Sequence, residues 1–375
     1  MRSLLLFSGF GAFNGDMLGL IRDFTRRPTH RPLVETAVEA VDRAVERFGG
    51  DATRGVVPGG IPLRRWLTTD VRPDDAVLRH SVVEGILTHL YHLCLLQPDP
   101  RTVPAAAGTG ERRAVAGLGH SLGLLSAVVA GLQVRDLREY LRQAHGIVLL
   151  TALALLRCHT TAGGGERDPE ILRRFARCPD TPRNPSPMAS VTGLPVARLR
   201  EVVDAHNASG SYRPVDVGLV NGPASAVLSG QVDALLEFWL RHGQDLAADG
   251  ARWAFLRTTL PFHSRLLAPA MRGSVDDRDW AGIDLRSGSL AVPVYAIDSP
   301  RNLQHSSDLF SDCLAQVLCR PLDWPSAVEI ALRESDPDEI VDHGPGCAVR
   351  IFTRDCLGSD RRPLRYTVLR PAKSH

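Results

Sequence analysis

The sequence predicts an α/β protein: a large, α/β-hydrolase-like domain around a central, mostly parallel sheet, with a small ferredoxin-like subdomain inserted into it. Three observations support this class. The chain of 375 residues is long enough for two or three structural units. Helical stretches alternate with short apolar strands, as in proteins with parallel sheets. A composition break at 160–186 precedes a segment whose elements follow the order β-α-β-β-α-β.

The first part of the large domain is expected to span residues 1–185. It begins with a buried strand over 3–11 that ends in a glycine-marked turn. A short apolar strand is expected at Ala114–Leu118, and 49–60 is expected to be a loop. Apolar residues at helical spacing predict helices over 34–48, Ser81–Leu96, 122–131 and 136–157.

The inserted subdomain is expected to span 186–258, and the second part of the large domain 259–375. In the subdomain, strands are predicted at 188–191, 215–220, 224–229 and 252–260, and helices at 195–207 and 231–245. After the subdomain, strands are predicted at 292–296, 338–342 and 364–369, and helices at 306–319 and 325–333.

Composition and charge exclude several classes of protein. The 44 basic and 42 acidic residues leave a net charge of +2, so nothing points to nucleic acid. The 7 cysteines are scattered and lack metal-ligand spacing, which predicts free thiols in a reducing compartment and no metal site. The apolar start is too short for a signal peptide, and the run 146–156 is shorter than the roughly 18 residues that a membrane span needs. We therefore expect a cytoplasmic protein that binds no membrane.

The most specific local feature is the Gly-His-Ser-Leu-Gly sequence around Ser121, between a predicted strand and a predicted helix. A Gly-x-Ser-x-Gly turn holds its serine on a tight bend and exposes the Oγ at the carboxyl end of the strand. The backbone N–H of Leu122, at the start of the helix, points to where an oxyanion would form. His120 is expected to point to a different side, because neighbours on a tight turn diverge.

A nucleophilic serine needs a base, and two of the 13 histidines follow marked turns. His263 lies in a Pro-Phe-His-Ser sequence, and His343 lies in Asp-His-Gly-Pro-Gly. In an α/β-hydrolase the base comes late in the chain, which would favour His343. Spacing alone does not separate the two histidines.

The segment GHSLGLLSAVVA (119–130) resembles the nucleophile segment of the malonyl-CoA:ACP transacylase superfamily. Its Gly-Leu-Leu-Ser-Ala continuation is most similar to the acetyltransferase domain of fungal type I fatty acid synthase β subunits. Further similar stretches follow in the family's order from about residue 4 to 370, which makes the resemblance specific. They are SPMASVTGL (186–194), VGLVNGPASAVLSG (217–230), FLRTTLPFHSRLLAPA (255–270), VPVYAID (292–298), RPLDW (320–324) and VDHGPG (341–346).

The resemblance implies roles for particular residues. The histidine of Pro-Phe-His-Ser, His263, corresponds to the family's general base. The family orients that base with a backbone carbonyl of a Pro-x-x-Trp turn, to which Asp323 is the expected contributor here. Phe10 stands where the family usually has Gln, and its amide would be the second oxyanion donor. Asn221 resembles a residue that lines the acyl and pantetheine cleft.

The resemblance also bears on the substrate. Malonyl-specific members carry an Arg about 25 residues after the nucleophile, which pairs with the free carboxylate. Here that neighbourhood holds Gly146 and a small apolar wall, with His145 as a partial substitute for the missing Arg. A malonyl carboxylate would lack its partner there, so an uncharged acyl group, acetyl or a longer starter, is expected.

These residues predict transfer of an acyl group from acyl-CoA, through an acyl-serine, to the phosphopantetheine thiol of an acyl carrier protein in fatty acid or polyketide biosynthesis. No metal or bound cofactor is implied. Three alternatives stay open: an acyl-carrier-protein thioesterase that uses the same Ser–His pair with water, an α/β-hydrolase that uses Ser121 and His343, and an inactive interaction module. An intact pair of Ser121 and His263 speaks against the last.

Overall fold

A computed structural model describes residues 1–11, 15–98, 112–162, 168–178, 181–210, 213–357 and 364–369. The first part of the chain begins with a strand whose apolar side chains are buried and continues into a layer of helices. Its elements are β1 (Arg2–Phe7), α1 (Met17–Thr25), α2 (Arg31–Phe48), α3 (Gly50–Val56), α4 (Leu63–Thr68), α5 (Asp75–Leu78), α6 (Ser81–Leu96), β2 (Arg113–Gly119), α7 (Gly123–Gly131) and α8 (Leu137–Ala162). β1 and β2 pair in parallel, with Leu6 opposite Leu118.

A second sheet follows in the chain. Its elements are α9 (Pro169–Arg177), β3 (Met188–Thr192), α10 (Val196–Ala208), β4 (Asp216–Gly222), β5 (Ser225–Ser229), α11 (Val232–Ala248) and β6 (Arg252–Phe255). The strand order is β6-β3-β5-β4, and neighbouring strands among these four are antiparallel. This is the connectivity of a ferredoxin-like unit. The unit has a core of its own, in which Leu228, Leu235 and Phe238 are buried. The exact boundaries of the unit stay a prediction.

The last part of the chain completes the first sheet. Its elements are α12 (Ala270–Ala281), α13 (Leu309–Leu318), β7 (Leu322–Asp323), α14 (Trp324–Ser335), β8 (Glu339–Asp342), α15 (Ala348–Cys356) and β9 (Arg365–Val368). The order β2-β1-β8-β9 is parallel throughout, which confirms the predicted α/β class with a parallel sheet. β7 instead pairs with β4, so it joins this part of the chain to the second sheet. Because β1 and β2 are parallel, the turns that follow them meet at one edge.

Several expected elements differ in the structure. The expected loop 49–60 contains α3, and the composition break contains α9. The expected strand 292–296 makes only isolated bridges, one of them between Gly117 and Val294. The expected strand 252–260 ends at Phe255, after which the chain leaves the sheet. Short apolar runs do not distinguish a strand from a buried extended segment, which accounts for the third difference.

One helix among the described residues, α8, is long and apolar enough by length and composition to cross a membrane. Most of its apolar stretch is buried inside the protein, against α2, α6 and α12. A buried core helix has the same composition as a membrane span. The cytoplasmic location therefore stays a prediction.

Candidate active site

Ser121 occupies a tight bend between β2 and α7. Its φ of 52° lies in the left-handed region, which a non-glycine residue rarely adopts. The flanking glycines permit the bend, because a Cβ on Gly119 would lie 2.2 Å from the backbone of Gly123. A Cβ on Gly123 would lie 2.5 Å from the carbonyl oxygen of Phe7. The Gly-x-Ser-x-Gly pattern thus folds as the expected strand–turn–helix, with the serine at the carboxyl end of the sheet.

His263 lies beside this serine. Its Nε2 is 2.8 Å from the Oγ of Ser121, and its Nδ1 is 3.1 Å from the carbonyl oxygen of Arg320. Because a carbonyl oxygen only accepts, Nδ1 carries the proton and Nε2 is free to accept from the hydroxyl. The imidazole is completely buried, and this burial lowers its pKa to about 4. The ring is therefore neutral at pH 7 and placed to take a proton from Ser121.

The expectation that Asp323 orients His263 is wrong: a backbone carbonyl does hold the ring, but it is not that of Asp323. The carbonyl that holds the imidazole belongs to Arg320, immediately before the Pro-x-x-Trp turn. Asp323 instead caps α14, where its carboxylate accepts from the backbone N–H and the hydroxyl of Ser326. A short acidic side chain before a helix satisfies the free N–H groups of the first turn, which explains this placement.

Replacement of Asp323 by alanine is therefore expected to reduce stability and leave catalysis nearly unchanged. Loss of a helix cap of this kind typically costs about 1 kcal/mol of unfolding free energy. The rate of serine acylation is expected to change by less than about threefold, or under 1 kcal/mol. Urea unfolding and stopped-flow acylation of the same preparations measure both quantities. A rate loss of more than tenfold at unchanged stability would show that Asp323 does act on His263.

The turn after β1 packs directly on the serine. A Cβ on Gly9 would lie 3.0 Å from the Cβ of Ser121 and 2.6 Å from the carbonyl oxygen of His120. Among the described residues, the amides of Phe10 and Leu122 donate no hydrogen bond to another part of the protein. Two free N–H groups at this turn and at the start of α7 are suited to hold an oxyanion, as the sequence predicts. That role stays a prediction.

His120 was expected to point away, and the structure places it at the same cavity as Ser121. Its Nε2 donates to the amide oxygen of Asn221 at 2.8 Å, which joins the serine turn to β4 of the second sheet. Burial lowers the pKa of His120 to about 4, so it binds as a neutral ring. Asn221 lies at the cavity, where the sequence predicted it. Its role in substrate binding stays a prediction.

His343 makes no contact with Ser121 among the contacts of the described residues. It is buried behind β1, stacked on the ring of Phe7 at 4.4 Å, and its Nδ1 donates to the carbonyl of Val341. The alternative of an α/β-hydrolase with His343 as the base is therefore incompatible with this geometry.

The expected roles of Gly146 and His145 at the substrate are contradicted. A Cβ on Gly146 would contact the side chain of Ile283, and the charges nearest His145 are those of Glu39 and Arg43 on α2. Neither residue lines the cavity at Ser121. The expected position, counted along the chain from Ser121, lies on a face of α8 that packs on α2 and on the segment after α12. Successive helical residues differ by about 100°, so a small offset turns a side chain away from a site.

The cavity at Ser121 has a volume of about 800 Å³. Its apolar wall comes from both sheets and from the turn after β1; it includes Phe10, Leu87, Met188, Leu219, Val227, Phe255, Phe262 and Phe352. Sequence reasoning missed its charged lining, which consists of Asp16, Arg72, Asp75, Arg79, Glu84 and Arg257. The sequence did contain a sign of Glu84, because it is an acidic residue in the otherwise apolar first turns of α6. Among the described residues there is no cluster of three potential metal ligands.

The chain matches the family described as starter unit:ACP transacylase in aflatoxin biosynthesis over residues 9–263. It is 27% identical over 308 residues to fatty acid synthase subunit beta of Schizosaccharomyces pombe, and 25% identical over 360 residues to fatty acid synthase 2 of Mycosarcoma maydis. These alignments cover 76% and 86% of the chain, but only 14% and 9% of those proteins. The chain thus spans less than a sixth of the length of these relatives.

Solved structures share the fold. Malonyl-CoA:acyl carrier protein transacylase from Xanthomonas oryzae superposes with a TM-score of 0.65 at 20% identity, covering 98% of this chain and 95% of that one. The acyltransferase domain from the second module of the salinomycin polyketide synthase gives a TM-score of 0.57 at 21% identity, with coverages of 98% and 68%.

The match over residues 9–263 places the chain in an acyltransferase family, and the serine at the strand–helix turn beside a buried histidine agrees with that class. The predicted similarity to the malonyl-CoA:ACP transacylase superfamily and to fungal fatty acid synthase β subunits is confirmed. More narrowly, the chain belongs to the starter unit:ACP transacylase family.

Proposed function

We propose that this acyltransferase moves an uncharged acyl group, acetyl or a longer starter, from acyl-CoA to the phosphopantetheine thiol of an acyl carrier protein in fatty acid or polyketide biosynthesis. The observation that carries the proposal is the 2.8 Å contact between Ser121 Oγ and His263 Nε2 at the wall of a large cavity. A volume of about 800 Å³ is within the usual range for sites that enclose a small-molecule ligand.

The reaction consists of two acyl transfers. In the first, the Oγ of Ser121 attacks the thioester carbonyl while its proton passes to His263 Nε2; the carbon–sulfur bond breaks, and His263 returns the proton to the CoA sulfur. In the second, the carrier thiol gives its proton to His263 and attacks the acyl-serine, and the proton returns to Ser121 Oγ. The hydrogen bond from His263 Nδ1 to Arg320 keeps the ring in the tautomer that both steps need.

Two backbone amides complete the arrangement. Each transfer passes through a tetrahedral intermediate with a negative oxygen, and we expect the N–H groups of Phe10 and Leu122 to bind this oxygen. Gly9 lets the Phe10 turn approach Ser121 this closely, because any side chain there would collide with the backbone of His120. Donors fixed in advance stabilise such an oxygen without rearrangement during the reaction.

The preference for an uncharged acyl group rests on the charge balance of the cavity, since the argument from Gly146 fails. Three arginines and three acids line the cavity. Arg72 lies 2.7 Å from Asp16, and Arg79 lies 3.3 Å from Asp75. The charge of Arg257 favours the ionised form of Glu84. The lining therefore supplies no excess positive charge to bind a malonyl carboxylate.

Intact-mass spectrometry with a panel of acyl-CoAs tests this proposal. Acetyl-CoA and longer saturated acyl-CoAs are expected to add one acyl mass to the protein, at least tenfold faster than malonyl-CoA, which corresponds to about 1.4 kcal/mol. Addition of a phosphopantetheine-bearing acyl carrier protein is then expected to discharge the acyl-enzyme much faster than buffer alone. Equal discharge in buffer would instead identify a thioesterase, and faster labelling by malonyl-CoA would contradict the preference.

A further inference from the structure

Glu84 is an acid in an apolar stretch of α6. The residues around it, Val82, Val83, Ile86 and Leu87, are buried, while Glu84 itself is partly buried and lines the cavity at Ser121. An ionisable side chain among buried apolar neighbours is costly unless it has a partner. The proposed acyl transfer assigns no role to the Glu84 carboxyl group.

Glu84 forms a hydrogen bond with the turn after β1, which contains the proposed oxyanion donor Phe10. Its Oε1 accepts a hydrogen bond of 2.9 Å from the backbone N–H of Gly11, one residue after the Phe10 amide. Among the described residues, no donor bonds to Oε2. Glu84 Oε1 is thus held at Gly11, the residue after Phe10, whose amide is expected to bind the carbonyl oxygen of the acyl group. The acyl group must lie in the same cavity.

Burial and the neighbouring charges act on Glu84 in opposite directions. Burial opposes ionisation and raises its pKa to about 7, whereas Arg79, before α6, and Arg257, after β6, favour the ionised form. Arg72 lies between Asp16 and Asp75 elsewhere in the lining. His120, which lines the cavity, and His263, beside Ser121, have pKa values of about 4 and are neutral near pH 7.

We propose that Glu84 is a specificity-determining residue, whose carboxylate disfavours acyl groups that themselves end in a carboxylate. This inference rests on the proposed acyl transfer and deepens it. Two like charges in a partly buried site repel one another, whereas an acetyl or alkyl chain experiences no such repulsion. Discrimination of this kind comes from rejecting the wrong substrate, and it requires no special contact with the right one.

The variant Glu84→Gln tests the charge alone, because its amide oxygen still accepts from the Gly11 N–H. At pH 8, where Glu84 is mostly ionised, the ratio of kcat/KM for malonyl-CoA to that for acetyl-CoA is expected to rise about fivefold in this variant. The variant Glu84→Leu removes the acceptor as well. It is expected to slow acylation by both substrates relative to Glu84→Gln, because the turn loses its support.

The wild-type enzyme gives a second readout that no folding defect can affect. Glu84 is protonated below pH 7 and ionised above it, so the malonyl-to-acetyl ratio is expected to fall about fivefold from pH 6 to pH 8. In Glu84→Gln the ratio is expected to stay constant, since His120 and His263 do not titrate in this range. The malonyl carboxylate and the arginines are ionised throughout.

The outcomes separate this inference from the proposed function. If the wild type prefers acetyl-CoA but Glu84→Gln leaves the ratio unchanged, or if the wild-type ratio is independent of pH, the role of Glu84 is overturned and acyl transfer stands. If the wild type takes malonyl-CoA faster than acetyl-CoA at pH 8, both the uncharged-substrate proposal and the role of Glu84 are overturned.

Discussion

Replacement of Ser121 by alanine is expected to abolish formation of the acyl-enzyme and to lower transfer to the carrier protein by at least about 10⁴-fold. The Ser121 hydroxyl is the group that the proposed reaction bonds to the acyl carbon, and its Oγ lies 2.8 Å from His263 Nε2. Intact mass after incubation with acetyl-CoA measures the first quantity, and radiolabel transfer measures the second. Ser225→Ala is the matched control, because Ser225 lines the same cavity and is expected to be dispensable.

The two histidines that sequence reasoning weighed provide a further check on the same pair. His263→Ala is expected to slow acylation about 10³-fold, which is typical for the loss of a general base. His343→Gln is expected to leave the rate within about threefold, because the ring it replaces packs on Phe7 and contacts neither reacting group. The opposite result would mean that the contact between Ser121 and His263 is not the reacting one.

Acid is expected to unfold the protein unusually readily. His89, His92, His120, His263 and His343 are buried, and burial lowers their pKa values to between about 3 and 4. The unfolded chain binds protons on these rings below about pH 6.5, and the folded chain does not, so stability falls with pH in this range.

The expected size of this effect follows from the number of rings. Five such histidines remove about 6 kcal/mol between pH 7 and 5.5, and the raised pKa values of Glu84 and Asp342 act in the opposite direction. The net loss is on the order of 4 kcal/mol, a large part of a typical folding free energy. Urea unfolding at the two pH values measures it. His89→Gln is expected to make the dependence shallower, and equal stability at both pH values would contradict the prediction.

The strand–turn–helix around Ser121, the proposed nucleophile, could be predicted from sequence because its geometry is local. Glycines on either side of Ser121, a strand before and a helix after are all encoded within a dozen residues. The histidine proposed as the general base could not be identified from sequence in the same way. His263 and His343 both follow marked turns far along the chain, and only the positions of the strands show that one reaches Ser121 while the other lies behind β1.

The errors in the site have physical causes. Every residue has a backbone carbonyl, so the sequence does not show which one orients the His263 ring. Asp323 was predicted, whereas the structure shows the carbonyl of Arg320. The prediction that Gly146 borders the substrate required knowing which face of the long helix α8 points to the cavity. The number of residues from Ser121 does not determine that face. The fold class was easier to predict, because periodic apolar patterns report which face of each element is buried.

The ferredoxin-like unit supplies part of the cavity wall through Met188, Ser190 and Thr192 on β3 and Val227 on β5, whereas Ser121 belongs to the parallel sheet. Mutations in one contiguous stretch of the gene can therefore reshape this cavity without displacing Ser121. Exchange of that stretch among relatives offers evolution, and protein engineers, a route to new starter preferences.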